Sequence, residues 1–368
     1  MSSEHLNSVD IQEATIIING LIKESFVRGT TPPNVMLHGS PGVGKSSIIQ
    51  QSVDGISQEI GEKVTLVDIR ASGLEASDVQ GIPYVDGSEM LFSTPSWFPT
   101  DDGYYILFLD EITNCSTPVQ HALYRLILDR SIQNGKKLSE RVAIVAAGNQ
   151  PSDKTGAKKL VPAAANRFAA HLIIDNGRLF QPFVNYAINK GFDQSIVAYL
   201  SWKKESLFVP PEHEDAFPTP RSWEFVSGHL SSDVMRSTPS LLTTAVASAI
   251  GSSVAMDFMS FREVYKMLPD WSRIRSGDPS YEFELNMSDE TALYAVGVAL
   301  GYELISALRE NDKDGVTNLV NSVLNGIPDE FKVVMFRTMA VNIAVMAKLA
   351  TIPALRQVFS NISNKVKL

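Results

Sequence analysis

Between residues 34 and 176 the chain alternates short apolar runs with longer stretches of helical period. Val35–His38, Val64–Ile69, Ile106–Asp110, Val142–Ala147 and His171–Ile174 are apolar along most of their length, the pattern of strands covered on both faces. Strands separated by helical patterns predict a parallel sheet with helices on both sides, an α/β fold. Upstream, residues 10–28 place Ile11, Ala14, Ile17, Ile18, Leu21 and Ile22 on one face of an amphipathic helix. Two turn signals interrupt the alternation and predict hairpins, because both dipeptides tolerate positive φ. In the first, Asp86-Gly87 lies between Ile82–Val85 and Met90–Phe92. In the second, Asn134-Gly135 lies between a strand around Ser131–Ile132 and one starting at Arg141.

From about residue 180 onward only helical periods are present. They are broken at Pro210–Pro220, at Arg236–Pro239 and over an irregular stretch at Asp270–Asn286. The tail from Ser288 carries Leu293, Val296, Leu300, Leu304 and Leu308 at helical spacing, with Gly297 and Gly301 as a possible close helix contact or ordinary core packing. No apolar run is read as reaching the roughly 18 residues of a membrane span. The most apolar stretch, Met339–Leu349, is interrupted by Asn342 and Lys348. The division expected is an α/β core at 1–178 with inserted hairpins near 82–92 and 131–142, helices at 179–235, and a further helical region at 236–368.

Composition narrows the function. A net charge of −9 and a pI near 5.3 argue against bulk nucleic-acid binding, which needs a basic face. The single cysteine, Cys115, excludes a disulfide framework and points to a reducing, cytoplasmic setting with an inert structural thiol. The first residues lack the basic and apolar regions of a signal peptide.

The chemistry begins at Gly39-Ser40-Pro41-Gly42-Val43-Gly44-Lys45-Ser46, followed by Ser47. This fits G-x-x-x-x-G-K-[ST], a phosphate-binding loop between a short strand and a helix. Glycines let backbone N–H groups close around phosphates, and the helix N-terminus adds positive partial charge. Lys45 would reach the β- and γ-phosphates and Ser46 would hold Mg²⁺. Tyr105–Leu109 then runs into Asp110-Glu111: Asp110 would coordinate Mg²⁺ and Glu111 would act as general base toward the attacking water. Asn149, after the strand Val142–Ala147, stands where open α/β sheets bind ligand, and reads either as a residue orienting that water or as a turn residue in Gly-Asn-Gln-Pro. From the residues alone Arg167 and Arg221 each read as a surface arginine or a salt-bridge partner. There is no Asn-Lys-x-Asp element for guanine.

Together these pieces resemble the AAA+ ATPases, and within them the MoxR family, over roughly residues 10–230. Leu109–Asn114 through Gln120–Leu123 looks like "LDEINRAPPxxQxALL", Arg130-Ser131-Ile132 follows where that family has "ERQV", and Asp78–Gly81 is similar to its "DxxG". Ala146–Pro151 looks like "ATQNP" with one extra residue, Leu160–Phe168 like "LPEAQLDRF" with Asn166 for Asp, and Thr219-Pro220-Arg221 like the "sPR" of sensor 2. Thr113-Asn114 replaces the family's Asn-Arg. The tail from Ile250 has a weaker similarity to MoxR-type ATPases encoded beside von Willebrand factor A proteins. The resemblance implies ATP and Mg²⁺ as cofactors. It makes Asn149 sensor 1, Arg167 an arginine finger reaching a neighbouring subunit, and Arg221 sensor 2 in a helical lid. It further implies a homo-hexamer acting on a protein partner, with both hairpins facing a central channel and Tyr84 and Phe92 available for contact. The other readings are an AAA+ machine acting on nucleic acid, such as a loader or translocase, and a nucleotide-dependent scaffold without turnover.

Overall fold

The computed structural model describes residues 8–149, 160, 162–210, 216–282, 284, 288–341, 343–349 and 351–363. Gln150, Pro151, Val161 and Pro211 of the sequence reading lie outside them. The chain divides into two compact units, 1–179 and 180–368.

The first unit is built on strands β1 (Ser8–Val9), β2 (Val35–His38), β3 (Val64–Arg70), β6 (Tyr104–Asp110), β7 (Val142–Gly148) and β8 (Ala170–Ile174). They form one parallel sheet in the order β1-β8-β2-β7-β6-β3. The five predicted core strands are present within two residues at each end; β1, only two residues long, carries too little pattern to be read. Helices α1 (Ile11–Arg28), α2 (Lys45–Ile60), α3 (Ala76–Gln80), α4 (Thr117–Asp129) and α5 (Pro162–Ala165) alternate with the strands. Asp10 and Glu13 close a capping box at the start of α1, and Gly29 ends it in the left-handed region. The central strands are buried along most of their length, with Leu107, Leu109, Ile144 and Ala146 packing on Leu123, Leu126 and Ile112 of the α4 side.

The first hairpin is formed by β4 (Pro83–Asp86) and β5 (Glu89–Phe92), antiparallel as expected. The second expectation is corrected. The chain after α4 makes a tight turn with a single bridge, Ser131 to Lys137, and Arg141 is not its return strand. The bonds Ile132 N to Lys136 O and Leu138 N to Arg130 O close it early. The Arg130 guanidinium then donates to the carbonyls of Ser139 (2.8 Å) and Val142 (2.6 Å), fastening the remainder to the start of β7.

Among its described residues the second unit is helical: α6 (Phe180–Lys190), α7 (Gln194–Trp202), α8 (Pro220–Ser231), α9 (Asp233–Ser237), α10 (Pro239–Ile250), α11 (Ser252–Lys266), α12 (Trp271–Ser276), α13 (Glu290–Arg309), α14 (Lys313–Leu319), α15 (Asp329–Ala340), α16 (Ile343–Leu349) and α17 (Pro353–Ser363). α12 corrects the expectation of an irregular 270–286; Asp270 caps it and Gly277 ends it, a short helix whose caps were hidden among turn residues. α13, with a mean hydropathy of 1.5 over its most apolar window, is long and apolar enough to cross a membrane, contrary to the sequence reading. Two thirds (67%) of that window is buried inside the unit, where α13 is a core helix. Gly297 and Gly301 are the close helix contact: a Cβ would meet Phe331 O at 2.9 Å and Thr338 Cβ at 3.0 Å on α15.

Candidate nucleotide site

The loop 39–46 leaves the end of β2 and enters α2 directly. Gly42 and Gly44 take positive φ (76° and 106°), a region that side chains other than glycine enter at a cost. Gly39 is set by space: a Cβ would lie 3.1 Å from Ile174 Cβ. No side chain caps the start of α2, so the first N–H groups of the helix face the loop. Lys45 is buried at the first helical position, and its ammonium donates to Gly39 O (2.6 Å), Ser40 O (3.0 Å) and Asn149 Oδ1 (3.1 Å). Asn176, beyond β8, donates to Ser40 Oγ at 2.9 Å and steadies the outer wall. Ser47 is exposed one position further along α2.

Strand order decides how the second half of the site meets the first. β7 lies between β2 and β6, so Asn149 stands beside the loop and Asp110 stands one strand further on. Ser46 Oγ still reaches Asp110 Oδ2 at 3.2 Å. A hydroxyl and a carboxylate at that separation are hard oxygen donors suited to Mg²⁺. Asp110 is nearly buried, and its other oxygen accepts from Glu111 N at 2.8 Å, which fixes the carboxylate's orientation. Glu111 itself is held at φ 56°, a left-handed conformation that costs a non-glycine residue on the order of 1–3 kcal/mol. The turn that imposes it is closed by Ile112 N to Ala147 O and Asn114 N to Glu111 O. Its carboxylate accepts a hydrogen bond from the Ser72 hydroxyl, on the turn after β3.

Sequence reasoning missed two residues of this site. Ser72 carries no motif and lies 39 positions from its partner. Thr113, one of the departures from the MoxR pattern, accepts from Asn149 N at 3.1 Å, and its one hydroxyl proton has Asn114 Oδ1 (3.0 Å) or Asn149 O (3.4 Å) to go to. It therefore fixes the backbone of Asn149, whose side-chain amide Lys45 contacts. Gly148 makes room for it: a Cβ there would lie 2.5 Å from Thr113 Cγ2 and 2.7 Å from its hydroxyl. Gly148→Ala is expected to destabilise the first unit by about 1–3 kcal/mol through overpacking. Denaturant unfolding checks this, and a value within error of the parent would remove the steric argument.

A second chain of contacts runs from the loop toward Arg167. His38, the last residue of β2, meets His171 Nδ1 through Nε2 at 3.1 Å, and His171 Nε2 lies 2.9 Å from Ala165 O. A carbonyl only accepts, so His171 donates from Nε2, and in the neutral pair His38 donates to Nδ1. Burial first, then the His171 ring and the Lys45 ammonium, push His38 down to about 4. It is therefore neutral at physiological pH. Asn34 donates to Arg167 O (3.1 Å) and accepts from Ala169 N (2.8 Å), so the turn carrying Arg167 is fixed while its side chain is exposed. Arg221 belongs to the second unit, exposed in the first turn of α8, behind Pro220 and the Thr219–Ser222 capping box.

Residues 34–168 match the family described as AAA domain (dynein-related subfamily). No curated protein matches the chain. Among solved structures, the chain is similar to the Thermotoga maritima RuvB Holliday junction branch migration motor, at 15% identity and TM-score 0.32, over 74% of this chain and 78% of that one. It is also similar to the Aeropyrum pernix ORC1 protein solved in complex with DNA, at 13% identity and TM-score 0.34, over 97% of this chain and 84% of that one. The matched segment holds the phosphate-binding loop, Asp110, Glu111, Asn149 and Arg167, and residues 34–168 of this chain, which carry most of a parallel α/β sheet, are similar to an AAA domain.

Proposed function

We propose that this chain is an ATP-hydrolysing ring ATPase of MoxR type that remodels or activates a protein partner. The observation that carries the hydrolytic part is the convergence of Lys45, Ser46, Asp110 and Asn149 by hydrogen bonds at the carboxyl ends of three parallel strands. Mg²⁺, when bound between Ser46 and Asp110, supplies charge neutralisation on the phosphates. Gly39–Ser46 binds the phosphates through backbone N–H groups, and Lys45 turns its ammonium from the loop carbonyls to them. Glu111 takes a proton from the attacking water, which Asn149 orients. Arg167 completes the site of the adjoining subunit, which is why a ring, a homo-hexamer by resemblance, is part of the reading. Residues 179–235, with Arg221 at α8, serve as the lid, and 236–368 as a helical extension.

The protein partner is supported by the motif order of residues 109–168 and by the net charge of −9, which does not favour a phosphate backbone. The tail's similarity to MoxR-type ATPases encoded beside von Willebrand factor A proteins makes such a protein the partner class of this reading. The direct test of the site is Lys45→Ala: titration with ATP and Mg²⁺ should show affinity lost by about 100-fold or more, the scale of a desolvated charge-assisted contact to phosphate. Unchanged affinity removes the loop from the account. Turnover stimulated by DNA in a salt-dependent way would favour the nucleic-acid reading instead.

A further inference from the structure

The hairpin β4–β5 presents several apolar side chains to water. Every residue from Ile82 to Met90 is exposed, with Ile82 at 65%, Tyr84 at 50%, Val85 at 75% and Met90 at 65%. A two-stranded hairpin is marginal by itself, and this one is braced at its root. A Cβ at Gly81 would lie 2.0 Å from Ser93 O, Trp97 Nε1 donates to Asp78 O at 2.8 Å, and Asn134 donates to Thr94 Oγ1 at 3.0 Å. The fold thus holds out a small apolar sheet whose two outer edges have no strand neighbour among the described residues.

Register sorts its faces. Pro83 opposes Phe92 and Val85 opposes Met90 on one; Tyr84 opposes Leu91 and Asp86 opposes Glu89 on the other. Two carboxylates directly across a strand pair repel and weaken the hairpin. Among the described residues neither has an ion pair. The chain holds no lysine or arginine between Arg70 and Arg125, so the hairpin's own surroundings in sequence are carboxylates alone. Lys136 and Lys137 belong to the turn that touches the root, the end away from Asp86 and Glu89.

We infer that this hairpin docks a polypeptide segment that carries lysine or arginine between apolar side chains. On one face the cations meet Asp86 and Glu89 and relieve their repulsion, while on the other the apolar side chains cover Val85 and Met90. Nucleic acid and anionic lipid both bring phosphate to an acidic tip, and a second copy of the hairpin brings the same charge. The inference rests on the protein-partner reading above and gives that partner a chemistry.

The test uses the full chain carrying Glu111→Gln, held with ATP and Mg²⁺ at low salt. Fluorescence anisotropy follows three labelled probes: a peptide alternating Leu and Lys, one alternating Leu and Glu, and single-stranded DNA. The Leu/Lys peptide should bind best. Asp86→Lys with Glu89→Lys should weaken it by about tenfold, the effect of two exposed ion pairs at low salt, and should favour the Leu/Glu peptide. Val85→Ser with Met90→Ser should weaken both peptides. Single Asp86→Lys places opposite charges across the hairpin, so its melting temperature should not fall, which separates docking from folding. Equal or tighter binding of DNA or of the Leu/Glu peptide, no binding of any probe, or unchanged affinity in both double variants overturns the inference. The Lys45→Ala titration fails or succeeds independently, so loss of the ATPase reading is distinguishable from loss of this one.

Discussion

Glu111→Gln is expected to bind ATP with Mg²⁺ normally and to turn it over about 10²–10⁴ times more slowly, the usual contribution of a positioned general base. The amide keeps the side chain's size and can still meet the Ser72 hydroxyl, so the left-handed turn at 111 and the Asp110 orientation should survive. What is lost is the oxygen that accepts a proton. The loss should therefore fall on kcat, with ATP affinity little changed, because the proposed phosphate contacts of Gly39–Ser46 and Lys45 are left in place. Single-turnover measurements separate the two quantities. Normal turnover would mean that another group activates the water, and that the strained backbone at Glu111 serves packing alone.

Arg167→Ala is expected to leave ATP binding intact and to slow hydrolysis by about 10³–10⁵, the range of arginines that stabilise phosphoryl-transfer charge. Its side chain is exposed, yet its backbone is fastened by Asn34 and, through Ala165, by His171 and His38. A fixed backbone carrying a solvent-facing guanidinium suits a residue that acts on another molecule's site. Were Arg167 only a surface charge, its removal would change stability within about 0.5 kcal/mol and turnover not at all.

The sheet and the loop were legible because their signals are local. Val35–His38 and Val142–Ala147 are apolar on both faces, and the loop 39–46 needs glycine at fixed positions for backbone reasons alone. Beyond β1 and α12, three features were not legible. The turn after α4 reads as a hairpin from Asn134-Gly135, but Arg130 spends its guanidinium on the carbonyls of Ser139 and Val142, a contact no dipeptide rule records. Ser72 and Thr113 join the site only because β3 and β7 flank β6 in the folded sheet. α13 escaped because Glu303 and the glycines at 297 and 301 break up an apolar run that its burial in the helical unit makes sense of.

The most direct measurement is a mixing experiment. In the proposed ring, Lys45→Ala subunits would lack the phosphate site but keep Arg167, and Arg167→Ala subunits would keep the site but lack the finger. Each preparation alone should be inactive in steady-state ATP hydrolysis. Mixed in equal amounts, they should recover part of the parent turnover, because an intact site then lies beside an intact arginine. A mixture that stays silent, or an Arg167→Ala preparation as active alone as the parent protein, would contradict a site shared between neighbouring subunits.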